Sequence, residues 1–155
     1  MESYSTKQGK CYTGDCIKLI ESKEFEKYHN KVQLLFTSPP FPLLAKKKYG
    51  NMNGQEFINW FGNLSESFSK MIKDDGSIVI ELGNAWNSGL PTMSTVPMEA
   101  LLEFKKRSNL HLCQEFICHN PSRLPGPAEW VNKNRVRVKD SFTRLWWLSK
   151  TPNPL

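Results

Sequence analysis

An open α/β sheet with a parallel portion is the fold this 155-residue sequence predicts. Two short apolar runs, VQLLFT at 32–37 and SIVIEL at 77–82, stop at chain breakers, Pro39-Pro40 in one case and Gly83 in the other. Runs of this length, bounded in this way, read as buried strands of a parallel sheet. Between them Phe57, Phe61, Leu64, Phe68 and Met71 recur at three- and four-residue steps, the stripe of a helix that lies on a sheet. Beyond a second helix, further strands are expected at 111–118 and 142–149.

In chain order, residues 1–10 are polar and read as a frayed start. Thr13-Gly14-Asp15 is a turn, with Asp15 placed to cap a helix over 17–25. The strand at 32–37 has to end where it does, because Pro39 and Pro40 have no N–H to donate and hold φ near about −65°. Thr37, Ser38 and Phe41 are therefore carried on stiff backbone just beyond the carboxyl end of a strand, where open α/β sheets bind their ligands. Lys46, Lys47 and Lys48 follow in a loop that is either solvated or set against phosphate. Gly76 is expected to terminate the long helix. Glu81 is a carboxylate near the end of an apolar strand, costly to bury without a partner.

A loop over 83–93 puts Asn84, Trp86 and Asn87 at a rim. A helix then starts at Ser94 or Thr95 with Pro97 in its first turn and runs to about residue 106; its basic end suits the helix dipole. Pro121, Pro125 and Pro127 make 120–130 an extended loop that contains Arg123. Lys133, Arg135, Arg137 and Lys139 alternate with Asn134, Val136 and Val138, so an extended ribbon would align all four cations on one face. That face fits DNA phosphate; a solvated edge blunted by lysines would read the same way.

The chain carries 21 Lys and Arg against 15 Asp and Glu, a formal charge of +6, which favours polyanionic partners without proving one. No apolar run approaches membrane-spanning length and no signal-peptide core opens the chain, so a cytoplasmic location and no membrane partner are expected. Cys11, Cys16, Cys113 and Cys118 are expected as reduced, mostly buried thiols with no metal; Cys113 and Cys118, at an odd offset on a strand, would face opposite ways. His111 and His119 have no carboxylate at a useful spacing and receive no catalytic role.

The 37–41 segment suits an uncommon chemistry. An exocyclic amino group on a nucleobase is a poor nucleophile, because its lone pair is delocalised into the ring. Two acceptors set tetrahedrally around the nitrogen, the Ser38 hydroxyl and the Pro39 carbonyl, would favour a pyramidal nitrogen, and Phe41 could stack on a base swung out of its duplex. Otherwise Ser-Pro-Pro is merely a strand followed by a proline-rich turn.

Four stretches, TGD at 13–15, TSPPF at 37–41, DGSIVIELG at 75–83 and the long run 120–152, resemble the amino-methylating DNA methyltransferases with a (D/N/S)-P-P-(Y/F/W) motif. The likeness is to N4-cytosine enzymes of type II restriction–modification systems of the PvuII type. It implies a partial class I, Rossmann-like methyltransferase sheet ending in an antiparallel strand. It also implies Ser38, Pro39, Pro40 and Phe41 as the catalytic motif, Glu81 at the flipped base, and Thr37, Gly14 and Asp15 toward S-adenosyl-L-methionine. Lys46, Lys47, Lys48, Arg123, Lys133, Arg135, Arg137 and Lys139 would then meet double-stranded DNA.

Such enzymes place the catalytic half first and open the cofactor half on a glycine-rich F-x-G-x-G turn. No Gly-x-Gly occurs in this chain. The expectation is therefore the N-terminal catalytic half of a permuted methyltransferase, a single domain over 1–155, inactive without its cofactor half. The strand carrying TSPPF would have an open edge, completed by a second polypeptide, as in a split methyltransferase, or by self-association; the alternative is a truncated half. Methylation of cytosine N4 is the expected activity, with adenine N6 and a catalytically silent DNA-binding remnant as alternatives.

Overall fold

The computed structural model describes residues 2–42, 52 and 54–155; Lys46, Lys47 and Lys48 lie outside them. The order of elements is β1 (Glu2–Ser5), β2 (Lys10–Tyr12), α1 (Cys16–Ile20), α2 (Lys23–Glu26), β3 (Val32–Thr37), α3 (Gly54–Met71), β4 (Ile72–Leu82), α4 (Val96–Arg107), β5 (His111–His119), a π-helical turn (Glu129–Lys133) and β6 (Phe142–Ser149). The main sheet runs β3-β4-β6-β5. β3 and β4 are parallel, joined by the α3 crossover, while β6 is antiparallel to both β4 and β5. The architecture is thus α/β with a mixed sheet, as expected from the strand and helix patterning.

One sheet face is packed. Ile78, Ile80, Leu82, Trp146 and Leu148 join Phe57, Phe61, Leu64 and Phe68 of α3 and Ala100, Leu101 and Phe104 of α4 in one buried core. The apolar stripe of α3 drives this, since it buries its aromatic side on both the sheet and α4. The two helices approach closely at Gly62, where a Cβ would lie 2.8 Å from Glu103 Cγ. Ser65, fully buried, donates its hydroxyl to Phe104 O at 2.6 Å.

The opposite face is open among the described residues. Register sets Phe36 beside Val79 and Val79 beside Trp147; Phe116 stacks on Trp147 with centroids 6.4 Å apart. Leu34 and Phe36 remain 56% and 58% exposed and Phe116 43%. β3 stands at the edge of the sheet, paired to β4 alone among the described residues. A contiguous apolar face beside an open strand edge marks a surface built to be covered.

Several expectations are corrected. Residues 2–12 do not fray: β1 and β2 form a hairpin, closed by Thr6 N–H to Gly9 O and by a Lys10–Glu2 ion pair of 2.7 Å. The helix expected over 17–25 breaks into two at Ser22. Gly76 does not end α3, which gives way to β4 at Met71. Gly76 lies instead where β4 bulges against β3, and a Cβ there would meet Val32 O at 2.9 Å. The thiols are not mostly buried: Cys16 and Cys118 are exposed, Cys11 and Cys113 half-buried. Desolvation pushes the Cys113 thiol above its ordinary value. No helix of the described residues is long and apolar enough to cross a membrane.

Candidate active site at the carboxyl ends of the parallel strands

Parallel pairing of β3 with β4 sets Thr37 beside Ile80, so Ser38 and Glu81 emerge as the next residues of neighbouring strands at one end of the sheet. Ser38 is exposed, Pro39 buried, Pro40 exposed and Phe41 half-buried. The turn is thus anchored by Pro39 while the hydroxyl of Ser38 stays open to a ligand. Phe41 packs against the core and over Gly83, where a Cβ would lie 2.6 Å from Phe41 Cε2. Only glycine at 83 lets the ring take this seat. Gly83→Ala is accordingly expected to displace the ring and to cost roughly 1–3 kcal/mol through overpacking. Thermal denaturation followed by circular dichroism checks the cost, and a melting point unchanged from the parent would refute the close approach.

Glu81, half-buried, has a partner that its sequence neighbourhood did not reveal. Thr143 Oγ1 donates to Glu81 Oε1 at 2.9 Å from the adjacent strand. This bond satisfies one carboxylate oxygen and fixes the side-chain orientation at the strand end.

Around it runs a polar chain. Asn84 Nδ2 donates to Asp140 Oδ1 at 3.0 Å, while Arg144 Nη1 donates to Asn84 Oδ1. Arg144 Nε lies 2.9 Å from Glu115 Oε1, which also accepts from Trp146 Nε1 at 3.1 Å. Asn84 fits the rim position expected from sequence; Asp140, Thr143 and Arg144 were not singled out, because their partners lie about sixty residues away along the chain.

The ribbon is corrected too. Lys133 closes the π-helical turn, Arg135 sits at φ 53° and residues 134–140 form no strand. Lys133, Arg135, Arg137 and Lys139 therefore do not share one strand face, since the left-handed residue breaks the period of two. Lys133, Arg135 and Arg137 are exposed. Lys139 Nζ donates to Pro121 O at 2.6 Å, and Arg123 Nη1 to Phe142 O at 3.0 Å, 3.9 Å from Asp140 Oδ1. Those two cations hold the loop together.

Asp15 caps α1: its Oδ1 accepts from the N–H groups of Ile17 and Lys18 at 3.0 and 3.3 Å. Gly14, at φ 141°, occupies backbone space open essentially to glycine. With Thr13, Lys18, Leu19, Ser22 and Glu24 they line an open depression of about 330 Å³.

Residues 32–155 match the family model described as DNA methylase. The chain is 40% identical over 98% of its length to the Type II methyltransferase M.PvuII of Proteus hauseri, of which it covers 44%. Its fold superposes on the solved PvuII DNA methyltransferase (cytosine-N4-specific) with a TM-score of 0.79 at 39% identity, spanning 92% of this chain and 49% of that one. A putative DNA modification methylase of Thermus thermophilus shares the fold, at TM-score 0.62 and 14% identity over 92% of this chain and 53% of that one. The chain thus spans about half the length of the relatives it matches. With four-fifths of its residues under the family model and its motif turn at the strand ends, the chain belongs to the DNA methylase family.

Proposed function

We propose that this chain is the catalytic half of a DNA methyltransferase that methylates the N4 amino group of cytosine within a restriction–modification system, acting on cytoplasmic DNA. The observation that carries the reading is the parallel β3–β4 pair, which brings the TSPPF turn and Glu81 to one sheet end and seats Phe41 on Gly83. A target cytosine leaves its duplex and stacks on Phe41. Ser38 Oγ and Pro39 O accept from its two amino hydrogens and so aim the nitrogen lone pair. Glu81, held by Thr143, meets the polar edge of the base. Positioning and exclusion of water supply most of the rate. N4-cytosine is favoured over N6-adenine by the cytosine-N4 specificity of the PvuII enzyme.

S-adenosyl-L-methionine, when bound, supplies the methyl group. The described residues offer a place for one end of it: the depression at Gly14 and Asp15, lined also by Lys18, Ser22 and Glu24, would receive the hydroxyl-bearing nucleoside, and Asp15 retains Oδ2 beside the oxygen that caps α1. Thr37, at the end of β3, would flank the transferred group. No glycine-rich cradle for the methionine portion occurs in this sequence. The open sheet face with Leu34, Phe36 and Phe116 supports completion by a second polypeptide that carries that portion; self-association through the β3 edge is the alternative.

The test is reconstitution. The chain is mixed with a separately produced cofactor-binding half of a PvuII-type enzyme, and labelled methyl is followed into DNA. Transfer that requires both polypeptides, with label on cytosine N4, is the expected result. A stable complex that binds DNA and cofactor yet transfers nothing would mark the chain as a silent remnant, and label on adenine N6 would overturn the cytosine assignment.

A further inference from the structure

The loop over 121–139 is pinned at its neck. Asn120 N–H donates to Ser141 O at 2.7 Å and Asp140 N–H to Gly126 O at 3.3 Å, while Lys139 Nζ reaches Pro121 O. Beyond the neck the loop carries the exposed cations Lys133, Arg135 and Arg137 with the exposed apolar side chains Leu124, Val136 and Val138. At its base lies Asp140, whose side chain is only 10% exposed. That carboxylate accepts from Asn84, and Asn84 accepts in turn from Arg144 of β6. Asn84 directly follows Gly83, on which Phe41 rests, and stands three positions after Glu81. One amide therefore links Asp140, at the base of the cationic loop and 3.9 Å from Arg123, to Arg144 of β6, and its backbone continues from the strand end of the proposed base pocket. A part-buried polar bridge of this kind is costly to leave half-satisfied.

We infer that Asn84 and Asp140 form a joint that fixes the cationic loop relative to the Ser38–Phe41 turn, so that duplex DNA held through its phosphates by Lys133, Arg135 and Arg137 is presented to the turn in one register. Asn84 and Asp140 act as positioning residues, with no contact to the base. The inference rests on the DNA reading proposed above and adds to it the means by which backbone contact and base reception are coupled. Without the joint the cations remain but lose their common frame, and fewer phosphates are met at once.

The experiment titrates the 155-residue chain against a fluorescein-labelled duplex by anisotropy at several salt concentrations. It compares the parent with Asn84→Ala, with Asp140→Leu and with the loop variant Lys133→Ala/Arg135→Ala/Arg137→Ala. Asn84→Ala and Asp140→Leu are each expected to weaken binding about tenfold and to flatten the slope of log K against log salt by roughly 0.9 for each phosphate that is no longer neutralised. Combined with the loop variant, neither should weaken binding further, because the cations through which the joint acts are gone; a purely structural role would add its loss independently. Should Asn84→Ala fail to fold, Asp140→Leu, which keeps the size of the side chain and cannot accept from Asn84, decides alone. Unchanged affinity and salt slope, or additive losses, overturn the joint and leave the DNA reading standing. A parent chain that retains no DNA at low salt overturns that reading and the joint together.

Discussion

Ser38→Ala is expected to lower methyl transfer by the reconstituted enzyme roughly 100- to 1,000-fold, the usual loss when one preorganised polar contact to the reacting group is removed. The hydroxyl is exposed and Pro39 beside it is buried, so the turn keeps its anchor without it. The change should therefore leave stability within about 0.5 kcal/mol, as for surface positions without packing or capping roles. Single-turnover rates with labelled cofactor, measured beside melting curves and DNA retention, separate the two effects. A variant that melts and binds like the parent yet transfers at the parental rate would remove Ser38 from the chemistry.

Phe104→Ala should bring the largest loss of stability, about 3–5 kcal/mol, the range for a buried phenylalanine cut to alanine. Phe104 has no exposed surface. Its ring sits 5.2 Å from Phe61 and 5.9 Å from Phe68, and its carbonyl takes the buried Ser65 hydroxyl. One residue thus ties α4 to α3 by both packing and polarity, and α3 is the crossover between the two parallel strands. Since a domain of this size holds only about 5–15 kcal/mol in all, the variant should lose a large share of its stability. Urea denaturation followed at 222 nm reads the effect, and a loss below about 1 kcal/mol would show that the helix pair repacks around the void.

Periodicity exposed those parts of the fold that bury a face. The stripe from Phe57 to Met71 became α3, and the runs at 32–37 and 77–82 became the parallel pair. Burial holds for the second run only: β3, expected as a buried strand, has no buried residue, because it lies at the edge of the sheet. The hairpin over 2–12 escaped notice because it buries little. Beyond its short ladder it carries a Lys10–Glu2 ion pair, a Thr6–Gly9 turn and a Tyr12–Phe25 ring contact, which polar composition does not announce. The same limit hid the bonds at the site: Thr143 reaches Glu81 and Asp140 reaches Asn84 only after β6 has folded back beside β4. Period-two spacing at Lys133 to Lys139 misled for the converse reason. The alternation is real in the sequence, but among the described residues no strand pairs with 134–140 to hold them extended, and Arg135 turns left-handed. Gly76 misled as a helix terminator, since it serves the close approach of Val32 O, whereas Gly83 follows the end of β4 as expected and also admits the Phe41 ring.

The outermost position of β3 in its sheet bears on how the site becomes rigid. Among the described residues its amides and carbonyls are bonded on one flank alone. The turn that carries Ser38 consequently hangs from one of the two edge strands of the sheet. Docking of a complementary polypeptide along that flank would quiet the strand as it shields it, making assembly and the stiffening of the turn a single thermodynamic event.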